Sequence, residues 1–231
     1  MLIRRRIRCA LALALMLAPG ASFPQVAPSE TEVRAYTGLH ATAASGNVAE
    51  IERLLDTGAD REARDGNGRT PLHVAVYRKK HDAARLLLAK GANANAFDRQ
   101  RYDVVTIAAV ADDVAMLKLV LEGGASAKNV TSPYDGTALI ASAHLGHVEV
   151  VQVLIKAGAP LDHVNNLTWT ALMESIVLGD GGKRHTETLR ALVAAGANVN
   201  ISDRAGITPL AHARGGGYKE MAQILEKAGA R

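Results

Sequence analysis

Short apolar groups with helical spacing alternate with polar, glycine-containing turns along most of the chain. In one such stretch, Thr70-Pro71 suits the start of a helix, because threonine caps a helix N-terminus and proline fits the first turn. Leu72, Ala75 and Val76 then form a short apolar face. A second, leucine-rich group ends at Gly91, which can adopt the left-handed conformation that closes a helix. This pattern predicts two short helices joined by a turn.

Two sequence markers repeat at a nearly constant interval. Gly-Ala pairs, separated by 33, 33, 34, 38 and 33 residues, begin at Gly58, Gly91, Gly124, Gly158, Gly196 and Gly229. The helix-start marker, with steps of 33, 33, 34, 33 and 38 residues, begins at Thr37, Thr70, Asp103, Thr137, Thr170 and Thr208. Two independent markers in one register predict an array of similar units that bury their apolar faces by stacking.

Three segments carry a resemblance to a known family. The start of a unit at 65–73 (DGNGRTPLH), the middle segment at 146–151 (GHVEVV) and the close at 91–95 (GANAN) resemble the ankyrin repeat. The resemblance implies a mainly α fold, an ankyrin-repeat α-solenoid of about six helix-turn-helix units with short hairpin turns. The units span about 32–64, 65–97, 98–131, 132–164, 165–202 and 203–231, which together form the domain 32–231.

Three units depart from the pattern. The third begins with Asp103-Val104 instead of Thr-Pro and has Arg101 in place of the turn glycine. The fourth has a reshaped turn at 132–136 (SPYDG). The fifth carries five extra residues within 179–185, where the glycines predict a flexible surface loop.

The N-terminus has the three parts of a secretory signal peptide. Residues 1–8 are basic, residues 9–18 are apolar, and small residues follow up to Ser22. Ten apolar residues reach about 15 Å as a helix, short of the roughly 30 Å hydrocarbon core of a bilayer. We therefore expect a cleaved signal peptide at 1–22 and a flexible lead-in at 23–31. The expected location is the periplasm, with secretion as the alternative, and no stable membrane insertion is expected once the signal is removed. An uncleaved anchor is the competing interpretation.

Charge and motifs exclude several function classes. The chain has 27 Lys+Arg against 23 Asp+Glu. Because the leader holds four arginines and no acid, the remainder is formally neutral and lacks the basic excess expected of a nucleic-acid-binding protein. One cysteine excludes a disulfide scaffold. No nucleophile elbow or phosphate-binding loop is present, so we expect neither an enzyme, a cofactor nor a metal site.

The resemblance implies that the concave surface, made by hairpin tips and inner helices, binds other proteins. Carried over to this sequence, the tip and inner-helix positions give the candidate protein-binding residues Tyr36, Arg69, Tyr77, Arg78, Tyr102, Tyr134, His144 and Trp169. Five of the seven aromatic residues in the repeat region fall at these positions, and Tyr and Trp are favoured interface anchors. In the alternative interpretation, these rings pack on neighbouring hairpins. Arg69 and Arg78 belong to a stretch, residues 67–99, with net charge +5, which could steer an acidic partner or form a solvated face.

The sequence thus predicts a monomeric, non-enzymatic protein–protein interaction module with one or more partner proteins and no nucleic-acid ligand. The alternative function is metal or small-molecule binding through the eight histidines or the 179–185 loop. A spacer held at the membrane by an uncleaved signal is a third hypothesis.

The leader generates the first testable prediction. Mass spectrometry of the exported protein should find an N-terminus near Phe23, because the small residues Gly20-Ala21-Ser22 suit signal peptidase. A mass that includes residues 1–22 would contradict the export assignment and favour the membrane anchor.

Overall fold

A computed structural model describes residues 25–231, and the predicted signal peptide with the first two residues of the lead-in lies outside this range. The described chain contains thirteen helices and no strand, with one isolated antiparallel bridge. Helix α1 (Glu30–Ala35) comes first. The inner helices, which open each unit, are α2 (Gly38–Ser45), α4 (Pro71–Tyr77), α6 (Val104–Val110), α8 (Ala138–Leu145), α10 (Ala171–Val177) and α12 (Pro209–Gly216). The outer helices, which follow them, are α3 (Val48–Asp56), α5 (His81–Ala89), α7 (Val114–Glu122), α9 (Val148–Lys156), α11 (Lys183–Ala194) and α13 (Lys219–Lys227).

Each inner helix packs on the next inner helix, and each outer helix packs on the next outer helix. The core is therefore a continuous layer between the two rows, to which every unit contributes buried leucines such as Leu72, Leu87 and Leu154. Alanines such as Ala75 and Ala84 are also fully buried, and their small size lets helices approach closely. The predicted helix-turn-helix solenoid is confirmed.

Every inner helix except α2 begins with a side-chain cap. Thr70, Thr137 and Thr170 each accept a hydrogen bond from the backbone N–H three residues later. In the third unit Asp103 does the same for Thr106, with an Oδ1–N distance of 2.8 Å. Burial raises the pKa of the Asp103 carboxyl, whose other oxygen accepts a bond from the Asn129 side chain. The unusual start of this unit thus preserves the cap with a different residue.

The hairpins between units share one hydrogen-bond pattern. The first side chain of each accepts bonds from the backbone N–H groups two and four residues later, and these side chains are Asp65, Asp98, Asn165 and Asp203. The fourth residue has a positive φ, which glycine tolerates at Gly68 but which is strained at Thr168, where φ is 67°. The reshaped fourth turn closes instead through the Thr131–Gly136 bridge.

Two segments that we expected to be flexible are held by specific contacts. The lead-in ends in helix α1, because Ser29 caps Glu32 and the Glu32 carboxylate accepts a bond from the Ser29 N–H at 2.8 Å. In the 179–185 loop, His185 lies 3.0 Å from Asp180, and the Tyr218 hydroxyl donates to the Gly179 carbonyl at 3.1 Å. The inserted loop is thus fixed against the sixth unit and leads directly into α11.

His73 links two adjacent units. Its ring is fully buried, with Nδ1 accepting a bond from the Thr70 N–H at 3.2 Å and Nε2 donating to the Tyr102 carbonyl at 3.3 Å. Both nitrogens are satisfied in the neutral form, and burial lowers the pKa of His73 to about 4. A second ring proton would face the Thr70 N–H.

We therefore expect the free energy of unfolding to decrease as the pH is lowered from about 6.5 to about 4. In that window the unfolded chain takes up a proton on His73 and the folded chain does not, so the free energy of unfolding decreases, by up to about 3 kcal/mol. Urea denaturation at several pH values measures this. His73→Gln keeps a donor and an acceptor but does not titrate, so its stability should be lower at pH 7 and less sensitive to pH. Parallel pH profiles for the two proteins would contradict the assignment.

Candidate binding surface

The candidate residues fall into two groups along the solenoid. Tyr36, Arg69, Tyr77 and Arg78 lie at the first two units, and Tyr134, His144 and Trp169 lie at the fourth and fifth. Tyr102 lies between them at the hairpin before α6. The two groups differ in how much of the surface is available to solvent.

Arg69 does not sit at an exposed tip as the sequence predicts, since its side chain is only 1% exposed. Its Nε donates to Asp65 Oδ2 at 2.7 Å, and its Nη2 forms an ion pair with Glu32. Its Nη1 donates to the Val26 carbonyl at 3.3 Å. Residues 25–36, here called the N-terminal segment, therefore cover Arg69, which a reading of the repeats alone does not anticipate.

The nearby aromatic rings pack against the solenoid more than they protrude. The Tyr36 hydroxyl donates to Asp65 Oδ2 at 2.6 Å. Tyr102 is only 6% exposed, and burial raises its pKa to about 12. Burial also raises the pKa of Tyr77, whose buried hydroxyl has no hydrogen-bond partner among the described residues. For Tyr102 the position therefore differs from the exposed tip expected from the sequence and matches the packing alternative.

At the fourth and fifth units, a buried carboxylate lies beside an exposed histidine. His144 keeps 49% of its side chain exposed, and its Nδ1 lies 3.3 Å from Glu174 Oε2. The Glu174 side chain is only 5% exposed, and its other oxygen accepts a bond from Asn165 Nδ2 at 2.9 Å. An aspartate at position 165, as in the hairpins that begin at Asp65 and Asp98, would repel this carboxylate. Glu174 and Asn165 are not among the residues predicted from the sequence.

A signal for Glu174 is present in the repeat alignment. Its equivalents in the second and third units are the buried apolar residues Val74 and Ile107, so a glutamate there is out of pattern. In the sixth unit the same position holds His212, whose Nε2 lies 2.8 Å from Asp203 Oδ2. A polar residue at this position thus pairs with the first residue of its own hairpin.

The fourth to sixth units also carry aromatic and exposed apolar residues. Tyr134 and Trp169 are half-buried, whereas Leu145 is 38% exposed and Ile207 is 42% exposed. Exposed apolar groups next to a polar centre are the composition that interfaces favour. This part of the concave surface is the one that a partner can reach directly.

The histidines are engaged in contacts within the protein. Each of the eight lies within contact distance of a backbone carbonyl or a carboxylate, namely His40, His73, His81, His144, His147, His163, His185 and His212. Within residues 25–231, no group of three or more His, Cys, Asp or Glu side chains is arranged to hold a metal ion.

The described geometry consists of stacked helix pairs with asparagine- or aspartate-started hairpins, and comparison with known proteins agrees with it. The family model for ankyrin repeats matches residues 10–98 and 105–203. The chain belongs to the ankyrin-repeat family. Ankyrin repeats are protein–protein interaction modules, and the family is generally a non-enzymatic scaffold.

Similar proteins come from bacteria and animals. YahD of Escherichia coli K12, named as an ankyrin repeat protein, is 30% identical over 189 residues, which are 81% of this chain and 94% of YahD. A crystal structure of an ankyrin repeat domain from Acinetobacter baumannii AYE is 42% identical, with a TM-score of 0.80, and the match covers 84% of this chain and 98% of that domain. The ankyrin repeat domain of Bcl-3, a member of the IkappaB family, is 25% identical with a TM-score of 0.76, and covers 85% of this chain and 87% of that domain.

The two arginines should differ sharply in their effect on stability. Arg69→Met leaves the buried Asp65 carboxylate without its guanidinium, and we expect a loss of about 3 kcal/mol in the free energy of unfolding. Arg78→Met, the matched control, removes a partly exposed ion pair with Glu30, and the expected change is below about 1 kcal/mol. Urea denaturation measures both. Similar losses in the two variants would mean that Arg69 is not a buried charge.

Proposed function

We propose that this chain is a periplasmic, non-enzymatic module that binds a partner protein through its concave surface. The observation that carries the proposal is the pairing of half-exposed His144 with the buried Glu174 carboxylate on the fourth and fifth units, which also carry the half-buried rings of Tyr134 and Trp169. An imidazole whose Nδ1 lies 3.3 Å from a buried carboxylate offers a polar contact to a partner.

The rigidity of the scaffold supports this proposal. The hairpin before α10 is closed by the hydrogen bond from the Asn165 N–H to the Trp169 carbonyl at 3.0 Å, and Asn165 also bonds Glu174. A binding surface that is ordered before its partner arrives loses less conformational entropy on association. The mechanism is thus recognition by a preformed surface, with Trp169 as an anchor and His144 as a polar contact.

The alternative of metal or small-molecule binding has less support. Seven of the eight histidine side chains make hydrogen bonds within the solenoid, and so does the 179–185 loop. Residues 25–231 hold no cluster of side chains arranged for a metal ion. We therefore propose no second function.

The periplasmic location rests on the leader, with its basic start and its short apolar run. The single cysteine, Cys9, belongs to the leader, so the mature chain would carry no thiol into an oxidising compartment. In the described part of the chain, none of the helices combines the length and apolar character that a bilayer crossing requires.

A crosslinked pull-down from the exporting compartment tests the proposal. The double variant His144→Ala/Trp169→Ala should recover at least about tenfold less of the partner than the unaltered mature chain, because truncation of interface anchors typically costs 2 kcal/mol or more. The matched control is Gln152→Ala/Lys156→Ala, which alters two exposed residues of the outer helix α9 and should recover the partner normally.

Circular dichroism and urea denaturation establish that both double variants fold. Equal recovery by the two variants would remove the fourth and fifth units from the binding surface. Failure of the unaltered chain to capture any protein would overturn the interaction module itself.

A further inference from the structure

The N-terminal segment occupies the concave side of the first two units with its acidic residues directed at arginines. Glu32 pairs with Arg69, and Glu30 Oε1 lies 2.6 Å from Arg78 Nη1. These contacts join residues 37 and 48 positions apart, so the segment folds back onto the second unit. It lies on the first two units, apart from His144 and Trp169 on the fourth and fifth.

One contact that orients the Arg69 side chain does not involve the N-terminal segment. Its Nε is held by Asp65, a residue of the same hairpin, at 2.7 Å. Its two terminal nitrogens instead bond the N-terminal segment, one at the Glu32 carboxylate and the other at the Val26 carbonyl. Asp65 thus orients the guanidinium, and the segment takes the two donors that point outward. A carboxylate beside a backbone carbonyl is what these donors recognise.

Arg78 and Tyr77 extend the same site along the end of α4. Arg78 is 33% exposed and its carboxylate partner Glu30 is 67% exposed, so this pair lies at the rim. The Tyr77 hydroxyl beside Arg78 in sequence is buried and has no hydrogen-bond partner among the described residues. Arg69, Tyr77 and Arg78 together form what we call the basic site.

The N-terminal segment has few buried apolar residues, with Pro28 buried and the others partly or fully exposed. Helix α1 contains no buried residue, and Val26 is 52% exposed. Val33 and Tyr36 are only partly buried against the core. The Arg78–Glu30 pair joins two partly exposed groups, so it contributes little and is screened by salt. In the Arg69–Glu32 pair only the arginine is buried, and another carboxylate can compete for its donors.

We propose that the basic site binds an acidic stretch of the partner protein. The N-terminal segment occupies this site as an internal competitor until the partner's acidic stretch displaces it. The inference rests on the proposed function and deepens it by naming the chemistry of one contact. The N-terminal segment shows the recognised pattern, in which two glutamates separated by one residue open a short helix capped by serine.

The probe is a fluorescein-labelled synthetic peptide of residues 25–36, measured by fluorescence anisotropy. The protein is the mature chain with Glu30→Gln/Glu32→Gln, which weakens the internal competitor and keeps its length. The matched control chain is Glu220→Gln/Glu226→Gln, which makes the same charge change on exposed residues of α13. The control peptide carries glutamine at both glutamate positions.

We expect the Glu30→Gln/Glu32→Gln chain to bind the acidic peptide at least about tenfold more tightly than the unaltered and control chains do, because a tethered competitor lowers the fraction of open sites. Binding should weaken at high salt, with the glutamine peptide, and when Arg78→Gln is added. Equal binding by all three chains, or equal binding of the two peptides, would overturn the proposal.

Size-exclusion chromatography of the same proteins tests whether the N-terminal segment of a second copy of the chain occupies the basic site. If the unaltered chain is a dimer that the Glu30→Gln/Glu32→Gln change dissociates, the basic site holds the N-terminal segment of a second copy, and the proposal of a partner's acidic segment is wrong. The peptide assay does not involve His144 or Trp169. Its failure therefore leaves the pull-down result standing, and a failed pull-down leaves the peptide result interpretable.

Discussion

The solenoid depends on the contact between one repeat and the next, since no unit encloses its own apolar residues. The buried histidine of α4 shows how that contact is made specific. His73 completes the cap of its own helix through Thr70 and bonds the Tyr102 carbonyl of the next hairpin. His40 makes the equivalent bond to the Arg69 carbonyl. One side chain therefore sets both the start of a helix and the position of the following hairpin, which an apolar contact alone would leave free to slide.

The arrangement of the concave surface follows from this constraint. His40 and His73 bond the carbonyls of Arg69 and Tyr102, so the backbone of these two hairpin residues is fixed against the preceding unit. Arg69 points toward the N-terminal segment and Tyr102 packs at the next hairpin. The stacking of the units thus fixes where these hairpin residues lie. The residue type then decides whether a position carries a charge, as at Arg69, or a packed aromatic ring, as at Tyr102.

Repeating features of the structure could be predicted from the sequence, and contacts formed once could not. The threonine caps, the left-handed Gly91 and the two rows of helices follow from local chemistry that recurs at a fixed period. The burial of Arg69 involves Glu32, which lies 37 residues away in helix α1, before the first inner helix. The family pattern predicts that residues at the hairpin tips are exposed to solvent. Here the N-terminal segment covers the hairpin that carries Arg69.

The inserted loop and Glu174 illustrate two different reasons for failure. Glycines in 179–185 indicate conformational freedom, but Gly181 lies so close to Tyr218 that a Cβ there would be 2.1 Å from the ring. The same residue type thus permits close packing as readily as flexibility. Glu174 was detectable, because a glutamate in place of Val74 and Ile107 breaks the apolar pattern. The periodic pattern predicts whether a side chain faces the core or the solvent. A residue that breaks the pattern, such as Glu174, marks a polar contact that the second and third units do not share.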